Sequence, residues 1–136
     1  MSNDTLQLAH RYASLIDDRR FDQLGTIMLP SIRILGPGYA MTTLEEVCSA
    51  MERLRQYQST FHFVGNQLGE WLGANEWHGE TYCIASHVYA REAAQWKLDM
   101  AIRYRDVIVR ERDGLFFAQR ELRLAWSQDL PLGMTH

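Results

Sequence analysis

The chain has 136 residues, with 14 Lys and Arg against 17 Asp and Glu, a formal net charge of −3 and a hydrophobic share of 46%. This balance argues against a nucleic-acid module, which presents a basic face, and no block of like charge marks an acidic tail or polybasic arm. The length suffices to bury about two-thirds of the unfolded surface around one core, and no apolar run approaches the ~20 residues of a membrane span. The opening MSNDTLQLAHRYASLIDDRR lacks the basic start and apolar block of a signal peptide. Cys48 and Cys83 form no motif and read as buried small apolar residues. A single domain in the reducing cytoplasm is expected.

In chain order, a helix is predicted first. Asp4 is its N-cap, with Gln7 at the capping-box position, and Leu6, Ala9, Tyr12, Ala13, Leu15 and Ile16 share one face. A second short helix is expected through Phe21–Met28, ended by Pro30. Ser31–Leu35 reads as a strand before the Gly36-Pro37-Gly38 turn. Thr43 caps a third helix, with Glu46 at the box position and Leu44, Val47, Cys48, Met51 and Leu54 at helical spacing. From Thr60 the period changes to two. Four long runs follow: Phe61–Leu72, Trp77–Arg91, Trp96–Arg112 and Leu115–Ser127. Short separators make them an antiparallel meander, with Asp113-Gly114 the strongest hairpin signal. Strands longer than the usual five or six residues bend. A bent sheet has a concave side for the helices to cover, an α+β architecture.

The functional signal is polar residues in apolar places. Asp17 lies at the edge of the first helix's apolar face and near its C-terminus, where the macrodipole disfavours a carboxylate. It either serves a site, or pairs with Arg19 or Arg20, or caps the following turn. His62 alternates with Phe61 and Phe63 and shares a face with Val64, Asn66 and Leu68. It is either a satisfied core histidine or a catalyst, and Asn66 on the same face favours a polar-lined stretch. His87 follows Cys83 and Ala85, while Ser86 points the other way. Tyr104 and Asp106 continue the apolar face of Leu98, Met100 and Ile102. Arg120 sits on the apolar face of the last strand and needs a carboxylate there. Asp106 is the expected partner, as a structural pair or as part of a site. The histidines lack HExxH spacing, and no CxxC, GxGxxG, P-loop or nucleophile elbow is present, so neither a metal nor an organic cofactor is expected.

The order of these features, with Ile-Asp-Asp-Arg-Arg-Phe-Asp-Gln-Leu after the first helix, Phe-His-Phe-Val-Gly-Asn, Tyr-Arg-Asp and Arg-Glu-Leu-Arg-Leu-Ala-Trp, resembles the SnoaL-like families of the nuclear transport factor 2-like superfamily over roughly Thr5 to Gln128. The resemblance implies a cone: a strongly curved antiparallel or mixed sheet wrapped around three N-terminal helices, with a pocket at the wide end. The pattern is most similar to scytalone dehydratase and the related dehydrochlorinase and bile-acid dehydratase group. It implies an Asp17–His62 pair with His62 as the base, and His87 as a second pocket histidine. Ile16 stands where scytalone dehydratase has a pocket tyrosine, and Tyr39 is displaced by the Gly-Pro-Gly turn. Tyr12, Tyr39, Tyr104 and Arg120 are the available donors for an enolate, and Asn66 completes the expected substrate contacts. The implied activity is a dehydratase-like lyase or isomerase acting on a small hydrophobic cyclic or aromatic ligand. A polyketide cyclase using the same cone for an aldol step, and a non-catalytic binding module or small subunit of the ring-hydroxylating dioxygenase type, are the alternatives. No nucleic-acid or membrane partner is expected, and the chain is expected to form a homodimer or homotrimer.

Overall fold

The computed structural model describes residues 4–133. Helix α1 spans Asp4–Asp17 and buries Leu8, Ala9, Tyr12, Ala13 and Ile16, close to the face expected from spacing. A 3-10 turn at Phe21–Thr26 takes the place of the second helix. Strand β1, Met28–Gly36, begins earlier than expected and runs through Pro30, so the proline sits inside a strand near its start rather than ending a helix. β1 pairs with the short β2, Tyr39–Met41, around the Pro37-Gly38 turn. Helix α2, Leu44–Met51, is capped as its sequence requires: the Glu46 amide donates to Thr43 Oγ1 at 3.1 Å. It runs on into a 3-10 stretch, Glu52–Gln56.

Four long strands follow: β3, Ser59–Trp71; β4, Glu76–Arg91; β5, Ala94–Glu111; and β6, Gly114–Pro131. Each pairs antiparallel with the next, and β1 adds in parallel to β6, giving the order β2-β1-β6-β5-β4-β3. The sheet is therefore mixed. The last hairpin turns one residue earlier than the Asp-Gly signal implies. Glu111 pairs with Gly114, so Arg112 and Asp113 are the two loop residues, with φ of 48° and 66°. Glu92 and Ala93 do the same between β4 and β5, at 51° and 67°. Right-twisted strands select this turn hand even where no glycine is available, at a cost of about 1 kcal/mol per residue.

Strands of 13 to 18 residues curl around α1 because register shifts interrupt them. One bulge lies between Val64 and Gln67. It inserts a residue and reverses the alternation that follows. Asn66 consequently points to the outer face and is exposed, and Gln67 takes the inward position that periodicity assigns to Asn66. Further along, Gly69 and Gly79 lie directly opposite each other. The Trp77 indole packs over both: a Cβ on Gly79 would sit 2.3 Å from the ring and 2.6 Å from the Leu68 carbonyl oxygen. Gly79→Ala is expected to lower stability by about 2–3 kcal/mol through this overpacking, read as a lower urea midpoint with an unchanged slope.

The concave side holds the main core, in which Leu8, Tyr12 and Ile16 of α1 meet Ile32, Trp77, Ile108 and Phe117 of the sheet. The outer face is half apolar. Phe61 and Phe63 are each 65% exposed and Trp126 49%, and Phe63, Ile84, Ala101 and Trp126 form one row across four strands. Among the described residues, no helix is long and apolar enough to cross a membrane.

Candidate active site

Helix α1 ends in a pattern that aims Asp17 inward. The Arg19 amide donates to the Ile16 carbonyl and the Arg20 amide to the Leu15 carbonyl, the paired bonds of a Schellman ending. Its left-handed position, usually glycine, is Arg19, at φ 60°. Arg19 does not reach Asp17; its Nη2 donates to the Tyr57 carbonyl at 3.0 Å, tying the helix end to the start of β3.

Asp17 instead receives three hydrogen bonds from β3. His62 Nδ1 lies 2.7 Å from Oδ1, the His62 amide donates to Oδ2 at 2.8 Å, and Thr60 Oγ1 donates to Oδ1 at 2.9 Å. Burial pushes the Asp17 carboxyl up, but the bonds from His62 and Thr60 outweigh it and hold it below the ordinary value of 3.8. An ionised carboxylate only accepts, so the His62 Nδ1 that faces it carries a proton, and Nε2 is the ring's basic nitrogen. The lowered Asp17 pKa also sets a stability window. The Asp17 contribution is full above the unfolded-state value and is lost as pH falls through the lower folded-state value. The stability difference between wild type and Asp17→Asn is accordingly expected to hold steady above about pH 5 and to narrow at more acid pH, as followed by urea denaturation.

His87, on β4, lies with its ring centroid 6.3 Å from that of His62 and 4.9 Å from Tyr57. Burial pulls its ring below the ordinary value, against a hydrogen bond to the Leu98 carbonyl that favours the charged form. The Nδ1···O distance is 3.3 Å. His87 is therefore neutral at pH 7 with Nε2 as an acceptor.

Both imidazoles line a cavity of about 490 Å³ on the concave side, together with Tyr12, Tyr39 and Tyr104 and an apolar wall that includes Ile16, Met100 and Leu122. This is within the size range of small-molecule sites. Burial pushes the Tyr12 hydroxyl up to about 12, and Tyr104 rises for the same reason. The Tyr12 and Tyr104 rings meet edge-on, with centroids 6.1 Å apart. A larger depression of about 680 Å³ lies on the outer face, lined by Glu70, His78, Glu80, Arg105 and Glu121. Its lining side chains are mostly charged or polar and it lacks the Asp17–His62 pair, so the concave cavity is the stronger candidate.

Arg120 takes a place different from the expected one. It is 1% exposed and does not line the cavity. Its Nε donates to Asp106 Oδ1 at 2.7 Å and its Nη2 to Oδ2 at 3.0 Å. The guanidinium lies 3.8 Å from the Tyr104 ring centroid, 4.6 Å from Tyr12 and 4.3 Å from Phe117. It therefore backs the two tyrosines from behind and cannot touch a ligand in the cavity directly. Asp106 also accepts from Thr81, which accepts from Gln67, which is bonded in turn to Thr5 of α1. Asn66 is likewise outside the cavity, for the bulge reason given above.

Two contributors escaped the sequence reading. Thr60 shares the inward phase of His62, two residues away, and that spacing was the available signal. Gln67 became visible only with the bulge. Among the described residues, no three His, Cys, Asp or Glu side chains cluster to hold a metal ion.

Residues 3–121 match the pattern of the family described as SnoaL-like domain. The chain belongs to this family. Comparison with curated proteins finds no match. Among solved structures, the SnoaL-like chain is similar to a scytalone dehydratase-like protein of Novosphingobium aromaticivorans, with TM-score 0.85 and 17% identity over 99% of this chain and 95% of that one. Hexachlorocyclohexane dehydrochlorinase LinA-type3 of Novosphingobium barchaimii gives 0.82 and 14%, covering 99% and 92%. ActVI-ORFA of Streptomyces coelicolor gives 0.76 and 16%, covering 91% and 96%. At these identities the likeness establishes the shared cone fold. The α+β fold, with a curled six-stranded sheet around the helical segments, is the one the resemblance implied.

Proposed function

We propose that this SnoaL-like domain is a dehydratase-like carbon–oxygen lyase acting on a cyclic hydrophobic carbonyl compound. The observation that carries the reading is the Asp17–His62 pair: a carboxylate fixes one imidazole nitrogen at 2.7 Å and the ring faces an apolar cavity. His62 Nε2 takes the proton alpha to the carbonyl as general base. The negative charge that develops on the carbonyl oxygen is met by the tyrosine hydroxyls that line the cavity, those of Tyr12, Tyr39 and Tyr104. The C–O bond to the beta hydroxyl then breaks, the alkene forms, and the proton on His62 leaves with the hydroxyl as water. Neutral His87 has no proton on Nε2 to give. Its role is to accept from the substrate hydroxyl and orient it for departure. The chemistry needs only these side chains.

The dehydratase and dehydrochlorinase names of the structural neighbours support an elimination. The expected homodimer or homotrimer would bury the exposed Phe63–Trp126 row, and the mass in solution reports it. The function is tested with cyclic beta-hydroxyketones in deuterated water. Wild type is expected to form the conjugated enone and to exchange the alpha hydrogen. Ligand binding with neither exchange nor enone would instead establish a binding module, and ring closure of an open-chain diketone would establish the aldol cyclase.

A further inference from the structure

The 3-10 stretch Glu52–Gln56 that follows α2 carries one arginine whose charge no described residue answers. Its neighbour Arg55 is bonded to Glu52, Arg19 is bonded to the Tyr57 carbonyl, and Arg120 to Asp106. Arg53 has no ion pair or hydrogen bond among the described residues. The sequence explains this locally. The positions three and four residues away on either side are Ser49, Ala50, Gln56 and Tyr57, none of them acidic, so no helical pair can form.

Arg53 is exposed, yet it lines the same cavity as His62 and His87. Exposed wall residues mark the mouth, and only two of them are polar: Arg53 and Tyr39, the latter 45% exposed. Tyr39 is held flat there by a close approach. Its ring occupies the space where a Cβ on Gly36 would sit, 2.2 Å away. Between mouth and histidines the wall is Met41, Met51, Leu54 and similar apolar residues. No carboxylate lines the cavity. Asp17, behind His62, already accepts three hydrogen bonds from His62 and Thr60. In a chain of net charge −3, the mouth thus holds a fixed, uncompensated cation.

A solvated arginine on an empty rim costs nothing. Once an apolar ring system fills the cavity, part of the guanidinium loses its water, and that loss is unfavourable unless the ligand supplies an acceptor. A carboxylate answers it with two parallel charge-assisted bonds, a geometry that suits the guanidinium fork. Granting the cavity its place as the substrate site, as proposed above, we propose that Arg53 anchors an anionic group at the mouth. The substrate class is then a cyclic or aromatic carboxylic acid, held acid-outward with its reacting carbon toward His62. Tyr39 supplies a second donor beside the anchor.

The test uses 2-naphthoate and its uncharged primary amide, 2-naphthamide, with affinities measured by calorimetry. Wild type is expected to bind the acid about tenfold tighter than the amide, Arg53→Gln to bind both equally, and Arg53→Lys to keep part of the preference. His62→Ala is expected to retain the full preference, which separates the anchor from the elimination chemistry. A preference lost in His62→Ala would mean that the acid sits at the histidines, and overturns the assignment. So does a wild type that fails to distinguish acid from amide, or fails to bind the acid at millimolar concentration, or an undiminished preference in Arg53→Gln.

Discussion

His62→Ala is expected to lower kcat by about 10³–10⁴-fold, the full contribution of a positioned general base, while ligand affinity changes little. Asp17→Asn is expected to do nearly as much damage without removing the base. Its amide can donate to Nδ1, which favours the tautomer with hydrogen on Nε2, and that nitrogen then has no lone pair for the substrate proton. The amide would also leave the His62 backbone N–H and the Thr60 hydroxyl competing for one oxygen, where Asp17 offers two. Because the pair acts as one unit, the double variant should be about as slow as the worse single one. His87→Ala should have a smaller effect on kcat and a larger one on KM, since a neutral acceptor orients the substrate and carries no proton. Steady-state kinetics on wild type and the four variants, with binding measured separately, decides the matter. Normal turnover by His62→Ala would end the mechanism and leave a binding module as the better account.

The second large effect is on stability. Asp106→Asn is expected to lower it by about 3–5 kcal/mol, because a guanidinium that is 1% exposed would keep its charge and lose its counter-charge. Out of a total of about 5–15 kcal/mol for a domain, this shifts the melting temperature by roughly 10 °C or more. The loss should spread beyond the pair. Asp106 is the end of the buried chain through Thr81 and Gln67 to Thr5, which ties α1 to three strands of the sheet. An amide there can replace an acceptor by a donor facing Arg120. Replacing both partners, Asp106→Asn with Arg120→Met, should recover part of the stability, since the stranded charge is then gone. It should not recover activity, because the positive charge behind Tyr12 and Tyr104 would be missing. An unchanged melting temperature for Asp106→Asn alone would mean that the pair is not the buried unit described.

Much of this was legible in the chain before any coordinates. The change from helical spacing to period two at Thr60 marks where the sheet begins, since each period has one way to bury an apolar face. The odd charges Asp106 and Arg120, alone on apolar faces of adjacent strands, identify each other because a buried charge must be paired. Asp17 and His62 stand out for the same reason, as polar residues phased inward. What periodicity does not contain is the point at which it slips. The bulge between Val64 and Gln67 comes from bending a long strand around α1, a demand of the whole sheet, and it sends Asn66 outward and Gln67 inward. The same holds for the turns: the twist of the paired strands, not the Asp-Gly dipeptide, puts the loop at Arg112 and Asp113. Depth is also a tertiary property. Phase assigns Arg120 to the inner face but cannot say that Tyr12 and Tyr104 lie between it and the cavity. That layering follows from the closure of β6 against β1 beneath α1, contacts between residues far apart in sequence that no local pattern encodes.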